Sequence, residues 1–225
     1  VDNTTADAEI ANKTDVVLTS VAGNEKAIGY ISLGALNDTV KAVKVDGAEA
    51  TVDNVKAGAY KLSRPFNIAT KGEPTGVAKD FISFILSKEG QAVVTDNKYI
   101  AVNDAAESFV SDGSSGQIAV GGSSSVSPVM EKLIEAYKSV NPNASIDLQT
   151  SDSTSGMTGA MDGTFAIGMA SRELKDEEAA QLTGTAIALD GIAVIVNPAN
   201  TIDELSMDQI KSIYVGDITD WGDLA

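Results

Sequence analysis

Short runs rich in β-branched residues alternate with amphipathic helical stretches along most of the chain, and that alternation confines it to an α/β architecture. A sandwich would repeat strands at even spacing, and a bundle would carry the helical period alone. Strand-like runs lie at 16–19, 27–32, 41–45, 63–69, 118–120, 145–149, 165–170 and 185–196. The clearest helix covers 128–140, where Met130, Leu133, Ile134, Tyr137 and Val140 recur on one face, with Pro128 in the first turn and Pro142 just beyond the end. Two more are expected. One covers 78–86, gathering Ala78, Phe81, Ile82 and Ile85 on one side; the other runs from the Ser206-Met-Asp-Gln209 capping box to about residue 215. At 225 residues, this is one large domain or two small lobes.

Composition removes most kinds of chemistry. The 16 Lys and Arg stand against 32 Asp and Glu, a net charge of −16, so phosphate backbones and anionic membranes are repelled and a nucleic-acid partner is not expected. With no Cys and no His, the chain can build neither a disulfide framework, a thiolate nucleophile, a zinc cluster nor a Ser-His-Asp relay. No nucleophile and base stand at a telling spacing, so an enzyme is not expected, and neither a metal nor a cofactor is called for. Apolar runs such as Ile192 to Pro198 are far shorter than the roughly 20 residues that span a bilayer. The chain opens at Val1 without a charged-then-apolar leader, which reads as a processed or excised segment.

The stretch from Ser108 to Gly116 is small, polar and aperiodic, and reads as a flexible connector between two folded portions. Beyond it, Ile118-Ala-Val120 runs into Gly121-Gly-Ser-Ser-Ser125 and then into the strongest helix. Such a junction suits an anion: glycines allow a tight turn, unpaired amides and the helix dipole face outward, and hydroxyls add neutral donors. No GK[ST] follows and GxGxxG is absent, which disfavours a nucleotide. The plain alternative is a serine-rich cap. A second hydroxyl cluster, Ser151-Asp-Ser-Thr-Ser-Gly156, follows the run at 145–149, and Ser171-Arg172 ends the run at 165–170. Ligands of open α/β sheets sit outside the carboxyl ends of strands, where all three segments fall. For Arg172 the alternative is a solvated salt bridge to Glu173 or Asp176. Arg64 is a weaker candidate for a cationic contact, and Phe81, Phe84, Tyr99, Tyr137 and Trp221 read as packing groups.

These residues carry a resemblance. GGSSSVSPVMEKLIEAYKSVNPNASIDLQTSDSTSGMTGAMDGTFAIGMASRELKDEE, with IALDGIAVIVNP and LSMDQIKSIYVGDITDWGDL, resembles the N-terminal half of the PstS-like phosphate-binding proteins of bacterial ABC importers. AGNEKAIGYISLG, KLSRPFNIAT and FISFILSKEGQAVVTDNKYIAV resemble the C-terminal half of that family. The halves stand in reversed order, and the family's Arg-x-x-G-S-G-T-like loop is not found. A circular permutation joined through the connector, or a piece cut from a tandem protein, would give this order.

The resemblance implies an α/β, periplasmic-binding-protein-like (type II) two-lobe fold, one lobe complete and the other partial. The first lobe would cover 37–200 with the connector near 108–116, and the partial lobe would combine 1–36 with 201–225. It implies binding of inorganic phosphate by Ser124, Ser125, Thr154, Ser155, Gly156, Ser171 and Arg172, and delivery to ABC permease subunits. Many members carry an Asp near the Arg172 position to accept the phosphate proton; here Glu173 or Asp152 would have to serve. An extracellular or periplasmic location with a membrane anchor in the full-length protein is implied as well. A partial lobe would leave sheet edges open, so a homodimer in which one copy completes the other is a further expectation. The competing reading is a degenerate solute-binding fold acting as a sensory or adhesive ectodomain without a small ligand.

Overall fold

The computed structural model describes residues 3–103 and 105–224; Val1, Asp2 and Ala225, which belong to the expected partial lobe, and Asp104 lie outside the described residues. The chain packs as two compact units, one of residues 1–62 with 191–225 and the other of residues 63–190. One unit is contiguous and the other assembled from both ends of the chain. The boundaries differ from the expected lobes, because 37–62 and 191–200 pack with the terminal segments.

The assembled unit contains α1 (Thr14–Ala22), β1 (Ile28–Ser32), β2 (Lys41–Ala42), β3 (Lys44–Val45) and α2 (Val52–Lys56). The strand β9 (Thr183–Val196) enters it from Gly191 onward, and β10 (Glu204–Leu205) and α8 (Met207–Val215) complete it. The end of β9 is its centre, pairing antiparallel with β1 on one side and β2 on the other. Alternation along β9 explains its unbroken apolar run, since Ala193 and Ile195 join one buried cluster while Val194 and Val196 join another. Tyr60 locks the strand through a 2.7 Å bond from its hydroxyl to the Ile192 carbonyl, and burial pushes that phenol up to about 12. The Ser206 capping box forms as expected, with Gln209 N donating to Ser206 Oγ at 3.1 Å and Ser206 N to Gln209 Oε1 at 2.8 Å. The strand expected at 16–19 is instead part of helix α1. Its valines sit four apart, and Val17 and Val21 close over Gly29 of β1, where a Cβ would lie 2.9 Å from each.

The contiguous unit holds β4 (Ser63–Thr70), α3 (Gly76–Ile85), α4 (Lys88–Asp96), β5 (Ile100–Ala101) and β6 (Gly116–Ser123). α5 (Ser127–Val140), β7 (Ala144–Ser151), α6 (Ser153–Asp162), β8 (Ile167–Ala170), α7 (Asp176–Ala179) and the first part of β9 follow. Its strands stand in the order β9, β4, β8, β6, β7. β6 is parallel to both β7 and β8, while β4 runs antiparallel to β8. One sheet face, with Phe66, Ile68, Val120, Ile167 and Met169, packs on Phe81, Phe84, Met130, Leu133 and Tyr137 of α3 and α5. The other sets Ala69 and Ala170 against Met157 and Ala160 of α6.

The segment 108–116 lies inside this unit rather than between units. It has almost no regular structure, yet it is tied down. Phe109 N donates to Glu89 Oε2 at 2.7 Å, the Phe109 ring meets Phe84 edge-on at 5.3 Å, and Asn141 Nδ2 donates to the Ser114 carbonyl at 2.8 Å. Among the described residues, no helix is long and apolar enough to cross a membrane.

Candidate functional site

Parallel pairing of β6 with β7 and β8 fixes where the three hydroxyl segments end. Register sets Ser123 opposite Ser151 and Gly122 opposite Met169, so all three strands run out at one edge of the same sheet. Helix α6 is drawn onto that edge by glycine packing. A Cβ on Gly156 would lie 2.6 Å from the Met169 carbonyl oxygen and 2.7 Å from the Gly122 Cα, while Gly122 itself has φ +137°. Only residues without side chains let the helix start approach the strands this closely.

The expected site residues fall on this edge. Ser124 and Ser125 are half-buried in the turn between β6 and α5, and Ser124 N donates to the Ser151 carbonyl at 2.9 Å. Ser153 links the second segment to the third by accepting a 3.1 Å bond from Ser171 N, with its hydroxyl 3.5 Å from that of Ser171. Thr154 and Ser155 are exposed on the first turn of α6. Ser155 is committed internally, since its amide donates to Asp152 Oδ1 at 3.0 Å and its hydroxyl to Asp152 Oδ2 at 2.8 Å. Gly156 is buried, with its amide donating to the Asp152 carbonyl at 3.0 Å, so its visible part is close packing. Asp152 thus caps α6, and the Ser155 amide and hydroxyl hold its carboxyl below the usual range.

Arg172 reaches the same edge. Its Nη2 lies 3.4 Å from Thr154 Oγ1, and its backbone carbonyl accepts a 2.9 Å bond from Asn67 Nδ2 on β4. Its main partner is neither Glu173 nor Asp176 but Glu178, which takes both terminal nitrogens at 2.7 and 2.8 Å. The pair is solvated on one side only, with the Glu178 side chain 3% exposed and that of Arg172 30%. The short helix α7 turns Glu178 back beneath the end of β8, a fold-back that sequence spacing does not reveal. Hydrogen bonding from Arg172 holds the Glu178 carboxyl below its ordinary range against the opposing effect of burial. Arg64 lies at the start of β4, whose antiparallel register with β8 sets Asn67 opposite Ala170 and so brings that start to the same end of the sheet; its guanidinium pairs at 3.2 Å with the fully buried Asp190 carboxylate. The site therefore gathers the hydroxyls of Ser124, Ser125, Thr154 and Ser171 and one guanidinium paired with Glu178, a donor set matched to a small oxyanion.

The PBP superfamily domain pattern matches residues 2–89 and 108–225. The chain is 51% identical, over its whole length and 77% of the relative's, to phosphate-binding protein PstS 2 of Streptococcus agalactiae. Over 98% of the chain and 76% of the relative, it is 48% identical to phosphate-binding protein PstS 2 of Streptococcus pneumoniae. The crystal structure of the phosphate-binding protein of a phosphate ABC transporter from Streptococcus pneumoniae superposes with a TM-score of 0.78 at 48% identity, covering all of this chain and 88% of that one.

Proposed function

Because the chain belongs to the PBP superfamily and, within it, to the PstS phosphate-binding proteins, we propose that it binds inorganic phosphate where β6, β7 and β8 end, and delivers it unchanged to an ABC permease. The observation that carries this reading is the convergence of three donor segments on one sheet edge, with Arg172 and Ser171 bonded directly to α6 hydroxyls. Binding there needs no net positive surface. Charges beyond about 8–10 Å are screened at ordinary salt, whereas hydrogen bonds act at contact. The work is done outside the cell membrane, from an anchored full-length protein, and requires no cofactor. The segment order is native to this branch of the family, a reading supported by one 227-residue alignment that takes in the whole chain.

Calorimetric titration of protein stripped of anion by partial unfolding and refolding tests the proposal. Phosphate gives a saturable heat, and Arg172→Ala weakens the binding by about 10- to 100-fold, the worth of one charge-assisted contact. Absence of heat with phosphate refutes the function; an undiminished affinity in Arg172→Ala refutes the site.

A further inference from the structure

Of the five N–H donors of Arg172, four are already taken. Nη1 donates to Glu178 Oε2 at 2.7 Å and to the Glu173 carbonyl at 3.0 Å, and Nη2 to Glu178 Oε1 at 2.8 Å and to Thr154 Oγ1 at 3.4 Å. Among the described residues, Nε–H has no acceptor and is the donor left for a ligand. Glu178 is itself anchored, since Lys175 N donates to its Oε2 at 2.8 Å, and its side chain is 3% exposed against 30% for that of Arg172. Were the guanidinium to swing away onto an anion, a carboxylate would be stranded in the interior without its counter-charge, a costly arrangement. The fork therefore stays on Glu178 while the anion is held.

We propose that Glu178 is the positioning residue of the anion site: it clamps the Arg172 fork so that Nε–H faces the ligand, and cancels its charge so that recognition rests on hydrogen bonds. This rests on the reading of the site as a phosphate receptor. Glu178 acts through Arg172 alone and makes no contact with phosphate.

The test is a double-mutant cycle with inorganic phosphate as the probe, using Glu178→Gln, Arg172→Ala and the double variant. Glu178→Gln weakens binding about tenfold in the wild-type background, in the range of residues that orient a ligating group. In the Arg172→Ala background, the same change shifts affinity by less than about twofold, because the residue it serves is gone. A merely structural role would cost the same in both backgrounds, and that additivity overturns the proposal, as does a Glu178→Gln variant binding like the wild type. A wild-type chain without phosphate affinity overturns the receptor reading and this proposal together, whereas the variant results bear on Glu178 alone. If Glu178→Gln does not fold, the wild type decides by NMR. The Arg172 Nη protons, assigned by their loss in Arg172→Ala, stay protected in both free and phosphate-saturated protein; their exposure on adding phosphate refutes the clamp.

Discussion

Asp80, on α3, is 3% exposed and accepts four hydrogen bonds. Its Oδ2 takes the Tyr137 hydroxyl at 2.7 Å, the Ser111 hydroxyl at 2.7 Å and Asn141 Nδ2 at 3.1 Å, and its Oδ1 takes the Asp112 amide at 2.9 Å. It joins α3 to α5 and pins the irregular segment 108–116 with the same group. Replacement by Ala breaks all four bonds at unequal cost. Ser111 and Asp112, on an irregular segment, regain water at about 0.5 kcal/mol each. Asn141 Nδ2 keeps two other acceptors, the Ser114 carbonyl at 2.8 Å and Tyr137 Oη at 3.0 Å. The Tyr137 proton, on a residue 1% exposed, has nowhere to go, at about 1–3 kcal/mol. Asp80→Ala therefore loses about 3 kcal/mol, and with a urea slope of about 1–3 kcal/mol/M its midpoint falls by about 1 M or more at an unchanged slope. Limited proteolysis then cuts within 109–115 far faster than in the wild type. An Asp80→Ala protein within about 0.5 kcal/mol of the wild type, with the segment still protected, refutes the assignment of Asp80 as the anchor.

Three further outcomes follow from the same geometry. Gly156→Ala drives a Cβ to within 2.6 Å of the Met169 carbonyl oxygen and 2.7 Å of Gly122 Cα, backbone that cannot step aside; α6 shifts, and stability falls by about 1–3 kcal/mol together with phosphate affinity in calorimetry. Arg64→Ala withdraws the guanidinium from the buried Asp190 and lowers the unfolding free energy by about 3 kcal/mol in urea denaturation, with phosphate affinity of the folded protein unchanged because that guanidinium is engaged by Asp190. Glu178 is held below its ordinary carboxyl range, so its stabilisation is complete above the unfolded value near 4.3 and is lost as pH falls through the lowered folded value. Acid unfolding of Glu178→Gln accordingly shows a shallower dependence on pH below about 4 than the wild type.

The three donor segments were legible because each is a local event, hydroxyls and glycine following an apolar run, and so were α5 and the Ser206 box, whose signals lie within one or two turns. The strand expected at 16–19 failed for the same local reason. Val16, Val17 and Thr19 favour a strand on propensity, and the closure of Val17 and Val21 over Gly29 turns the segment into a helix face. Segment 108–116 read as a link between folded parts because its composition is that of one, while the carboxylate that fastens it sits on α3, some thirty residues earlier. The unit boundaries were likewise invisible, since β9 passes from one core to the other without a break in its apolar run.

From the sequence alone came the α/β class, the family, the absence of His and Cys chemistry and the residue types of the anion edge, all properties of composition and near-neighbour pattern. Tertiary structure alone decided that Arg172 is clamped by a buried Glu178 and that glycines weld α6 to the strand ends. Which donor meets which acceptor is fixed by burial and by the register of strands distant in sequence, and neither is written in the spacing of residues along the chain.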